Sequence, residues 1–98
     1  MERIIEALNK SKNNNYMKSS VSGFRYKFDE SDKDSINLEF VIKESNTKVH
    51  VTVSKLSESY TYCKVHTDLQ QYEGRVSYGM ISRFINGIVR ETWELINE

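Results

Sequence analysis

A chain of 98 residues has room for one domain, 1–98, and one hydrophobic core, and a domain of this size folds without metal or disulfide staples. Fourteen basic residues balance fourteen acidic ones, which excludes the global positive field that drives non-specific attachment to nucleic acid or anionic lipid. The one cysteine, Cys63, cannot pair within the chain, and neither a signal peptide nor a membrane-length apolar run of roughly 20 residues is present, so a reducing, cytoplasmic setting without membrane contact is expected.

Lys, Asn, Ser, Ile and Tyr are plentiful, proline is absent and alanine occurs only at Ala7. Such usage tracks AT-rich coding and points to a low-GC bacterial, phage or mobile-element source without bearing on chemistry.

Met1, Ile4, Ile5 and Leu8 follow the spacing of one helical face, with Glu2, Arg3, Glu6 and Lys10 turned elsewhere. The polar run Ser11-Lys12-Asn13-Asn14-Asn15 competes with helix, so this short helix is expected to fray there and a linker to follow to about Ser22. From Gly23 the period becomes two: Phe24, Tyr26 and Phe28 alternate with Arg25 and Lys27, and Ile36, Leu38, Phe40 and Ile42 alternate with Asn37, Glu39 and Lys43. The charged segment Asp29 to Ser35 between these strands reads as a solvated turn, because it lacks the glycine and distal glutamate of a calcium loop.

Glu44-Ser45-Asn46-Thr47 occupies a hairpin position, and beyond it Val49, Val51 and Val53 alternate with His50, Thr52 and Ser54. Ser59 to Thr67 forms a further strand, with Thr61, Cys63 and Val65 on the expected core side and Tyr60, Tyr62, Lys64 and His66 on the other. Leu69 to Val76 reads either as a weak fifth strand or as a loop, Gly74 arguing for a bend.

A long helix is predicted from about Tyr78 to the end, with Ser77 as N-cap and Ile81, Phe84, Ile85, Ile88, Leu95 and Ile96 along one stripe. Met80 and Val89 lie at its margins and Trp93 beyond, an arc too wide for one sheet to cover. One flank is expected to pack on the sheet and the other on the first helix; alternatively Val89 and Trp93 stay exposed and bind a partner. Gly87, mid-helix, costs roughly 1 kcal/mol relative to alanine, which implies either a closely approaching backbone or mere tolerance. The fold expected is α+β: an antiparallel four- or five-stranded sheet with an N-terminal and a long C-terminal helix on one face, in the order α-β-β-β-β-(β)-α.

No catalytic residue, metal site or cofactor is indicated. Cys63, His66 and His50 are the concentrated metal-binding types, but an odd separation on one strand places Cys63 and His66 on opposite faces. A core-facing Cys63 is an inert thiol, and the glycines are too scattered to cradle phosphate. An enzyme built on paired carboxylates stays open as an alternative, because such pairs assemble across a fold.

If the apolar sets face the helices, the opposite face carries Arg25, Lys27, Lys43, His50, Thr52, Tyr60, Tyr62, Lys64 and His66. That mixture suits single-stranded nucleic acid, although Asn37 and Glu39 share the face and overall charge is zero. It suits a protein partner at least as well, since tyrosines supply large amphipathic contacts. A homodimer through this face or through Val89 and Trp93 is the simplest cover for surplus apolar surface. The leading expectation is therefore a non-enzymatic protein-binding or regulatory module, an inhibitor or accessory protein of bacterial or phage origin, with nucleic-acid binding the alternative.

Overall fold

The computed structural model describes the backbone of residues 1–97 and the side chains of residues 1–95. The expected Ile96 position in the apolar stripe therefore lies outside the described residues. Helix α1, Glu2–Lys12, buries Ile4, Ala7, Leu8 and Ser11 and ends at Asn13. What the sequence reads as a linker holds a second helix, α2, Asn15–Ser20, whose N-cap Asn14 accepts a hydrogen bond from the Met17 amide at 3.2 Å. One apolar anchor holds this short helix in place, the fully buried Met17.

The strands are β1 (Val21–Phe28), β2 (Ser35–Ile42), β3 (Thr47–Lys55), β4 (Tyr60–Thr67) and β5 (Gln71–Ser77), and they form a five-stranded sheet in that order. Each pairs antiparallel with its neighbour in sequence. Strand β5 runs straight through Gly74, which pairs with Cys63, so no bend occurs there. In β1 the register shifts between Ser22 and Arg25, where Gly23 adopts a φ of +66°. A glycine in the left-handed region is what such a bulge needs. Its extra residue changes the parity of the strand, so that Val21 on one side and Phe24 and Tyr26 on the other all point inward. Phe24 stacks on Phe40 at 5.7 Å and 7°, and the Tyr26 hydroxyl donates to Asn9 Oδ1 at 2.8 Å. The β2–β3 turn is closed by Asn46 at a φ of 56°, a conformation that asparagine tolerates better than most side chains.

A 3-10 turn, Tyr78–Met80, leads into helix α3, Ile81–Asn97; Ser77 precedes the turn but makes no side-chain cap bond. Ile81, Ile85, Ile88, Val89 and Thr92 are buried, with Thr92 Oγ1 donating to the Ile88 carbonyl at 2.8 Å. Helix α1 packs on α3, and Ser11 Oγ donates to Asn86 Oδ1 at 2.7 Å. At the other end of α1, Arg3 lies 3.9 Å over the Tyr78 ring and donates to the Glu58 carbonyl at 2.9 Å. Helix α1 ends beside Asn86; further along α3, Arg90 and Trp93 line a cleft with α2 and the start of the β2–β3 turn, and Glu91 meets Tyr72 of β5. Leu95 is 43% exposed rather than part of the core stripe.

The three helices α1, α2 and α3 lie on one face of the sheet. That face and the helices supply the core, in which Ile4, Leu8, Met17, Ile36, Leu38, Phe40, Val49, Val51, Val53, Ile81, Ile85 and Ile88 are fully buried or nearly so. Each such side chain contributes about 1.5–3 kcal/mol of transfer free energy. Among the described residues, no helix is long and apolar enough to cross a membrane.

Candidate functional site

Among the described residues, no helix covers the opposite face of the sheet. Strict alternation and unbroken register from β2 to β5 arrange its side chains in rows across the strands. One row is Arg25, Glu39, His50, His66 and Gln71; the next is Lys27, Asn37, Thr52, Lys64 and Glu73; a third holds Ser35, Ser54, Tyr62 and Arg75.

Polar contacts stitch the rows together. Arg25 pairs with Glu39, and His50 Nδ1 lies 3.7 Å from the other oxygen of that carboxylate. The hydrogen bond from Arg25 holds the Glu39 carboxyl below its ordinary value against the opposing cost of desolvation, with the charges of Arg25, His50 and Lys27 adding to the lowering. Thr52 Oγ1 donates to Asn37 Oδ1 at 3.0 Å, and Asn37 Nδ2 donates to Asp29 Oδ2 at 3.1 Å. The hydroxyl and amide of Ser31 also donate to Asp29 and lower its carboxyl. Across β4 and β5, the Arg75 guanidinium lies 5.1 Å over the Tyr60 ring. Partial burial and then the neighbouring Glu73 raise the Tyr62 hydroxyl above its ordinary value.

Of the residues singled out from sequence, Arg25, Lys27, His50, Tyr60, Tyr62, Lys64 and His66 all lie on this one face. Lys43 does not join them: its ammonium reaches back to the Lys18 carbonyl at 3.5 Å, beside α2. Val89 packs into the core and is only 3% exposed, at the floor of the cleft that Trp93 lines. Trp93 is 48% exposed but lies on the helical side, in a cleft of about 560 Å³ shared with Tyr16, Ile42, Lys43 and Arg90. The two alternative binding surfaces, the open face and the Val89–Trp93 flank, therefore stand on opposite sides of the sheet.

Lys48, Glu73 and Arg75 also belong to the open face, and sequence reasoning passed over them. The alternation of Gln71, Glu73 and Arg75 against Tyr72 and Val76 was the available signal, masked by Gly74. Cys63 sits in the core, where burial pushes its thiol up and the Thr61 hydroxyl offsets this only in part, so the reactive thiolate is disfavoured. Among the described residues, no group of three or more His, Cys, Asp or Glu is placed to hold a metal ion. Comparison with protein-family models finds no match, and comparisons with curated proteins and with solved structures find no significant one.

Proposed function

We propose that this chain is a small cytoplasmic regulatory module that acts by binding, not catalysis, and that it holds an acidic protein partner on the open face of its sheet. The observation that carries the reading is the segregation of charge. On a chain whose charges cancel, Arg25, Lys27, Lys48, Lys64 and Arg75 share this face with Glu39 and Glu73, and with Asp29 at its margin beside Asn37. Tyr60 and Tyr62 stand among them, supplying the amphipathic area that interface centres favour. An inhibitor or accessory role of bacterial or phage origin is the setting we propose, on size and composition.

Protein is favoured over single-stranded nucleic acid by two details. Arg75 already covers one face of the Tyr60 ring, where a base would stack, and a phosphate backbone crossing the rows would meet the Glu39 and Glu73 carboxylates. The test is capture from the native host by the tagged chain, with nuclease, at low and high salt, using the native chain and the Tyr62→Ala and Lys64→Glu variants. A stoichiometric protein that survives nuclease, and whose affinity falls by roughly tenfold in either variant, supports the reading. Nucleic acid released by salt, with no protein, overturns it.

A further inference from the structure

The two edges of the sheet are built differently. Strand β1 carries a bulge at Gly23 with Arg25 and Lys27 following it, devices that discourage another strand from adding. Strand β5 has one strand neighbour, β4, keeps regular register over its whole length, and carries no bulge. Its sequence is also self-complementary. In an antiparallel pair of β5 strands centred on Gly74, Glu73 of one copy faces Arg75 of the other, Tyr72 faces Val76 and Gln71 faces Ser77.

We infer that β5 is a homodimer edge: it pairs antiparallel with β5 of a second copy about a two-fold axis at Gly74, making one continuous sheet. This goes beyond the open-face reading and does not rest on it. A two-fold normal to the sheet keeps each face on its own side, so the Glu73–Arg75 pairs fall on the open face and the Tyr72–Val76 pairs on the helical face. Symmetry makes each pair twice, and opposite charges and aromatic–β-branched neighbours are the cross-strand pairs that stabilise sheets.

The ground beside the edge agrees. Met80, 46% exposed, lines a concavity of about 420 Å³ together with half-buried Tyr72, Val76, Phe84 and Gly87, and Arg75, Arg83 and Glu91 line it as well. A second copy seated on β5 covers the apolar part of that concavity. Gly87 also finds a reason there. No heavy atom lies within 4 Å of where its Cβ would stand, so nothing inside the chain requires glycine, whereas the close approach of a second copy does.

The experiment is sedimentation equilibrium over a dilution series from micromolar to near-millimolar, with circular dichroism confirming the fold of each variant. The native chain is expected to approach twice 11.5 kDa. Glu73→Arg alone and Arg75→Glu alone set like charges opposite each other at both pairs and are expected to weaken association roughly tenfold or more. The double variant restores opposite charges and with them the dimer. Amide exchange over residues 71–77 should slow as concentration rises, while that of β1 does not. A native chain that stays monomeric, a dimer indifferent to the single changes, a double variant as weak as the singles, or exchange in β5 that ignores concentration overturns the inference.

Discussion

The two faces of the sheet are made from the same strands, residue by residue in alternation, yet they solve different problems. The inner face is an apolar layer of valines, isoleucines and Phe40 sealed by the helices α1, α2 and α3. The outer face is a lattice of exposed ion pairs and side-chain hydrogen bonds. Burial concentrates stability on the first, because exposed pairs contribute from nothing to about 1 kcal/mol each. The second is thereby free to vary with the demands of recognition.

Phe40→Ala tests the inner face most severely. It removes a nearly fully buried ring and the stacking partner of Phe24, and a loss of about 3–5 kcal/mol in chemical denaturation is expected. Gly23→Ala tests the point at which β1 switches residues between faces. Its Cβ meets no atom within 4 Å, so the loss is the left-handed backbone strain alone, about 1–2 kcal/mol, read from the same unfolding curves. Gly87→Ala runs the other way. In dilute, monomeric solution it is expected to raise stability by about 1 kcal/mol, visible as a higher Tm, and a fall in Tm would mean that the helix needs glycine for its own packing.

The smallest effects separate the faces by pH. On the outer face the folded Glu39 carboxyl lies below the ordinary value of 4.5. Its contribution is therefore complete above that value and lost as pH falls through the lower, folded one. Glu39→Gln should flatten the acid limb of the stability curve. On the inner face, burial and then Glu91 push the Tyr72 hydroxyl up to about 12, from 10.0. Its contribution is complete below 10.0 and lost as pH rises through about 12, so Tyr72→Phe should flatten the alkaline limb instead.

Alternation carried most of this architecture into the sequence. The sets Ile36-Leu38-Phe40-Ile42 and Val49-Val51-Val53 mark their own faces, and the pairing of β3 with β4 then assigns Cys63 and Val65 to the core and the tyrosines to the open face. Helix α2 stayed hidden because its only buried side chain is Met17, so no periodicity exists to detect. Gly74 disguised β5, since a glycine interrupts a strand pattern without necessarily interrupting the strand. The fates of Val89, Trp93 and Leu95 depended on where α1 stops relative to α3, a tertiary distance that helical spacing does not encode. The candidate face was legible because parity needs only local sequence. Its outer column, Glu73 and Arg75, became visible once β5 was a strand.

Because every strand pairs with the next one in sequence, the sheet is assembled from local hairpins, which favours rapid closure. Synthesis adds a directional asymmetry. As the chain leaves the ribosome, each hairpin can zip onto the last, but Ile81, Ile85 and Ile88 of the sealing helix are made after all five strands. The inner face thus lacks the cover of α3 until all five strands have been made. That interval, more than anything in the finished fold, is when this chain is most exposed to aggregation and to capture by chaperones.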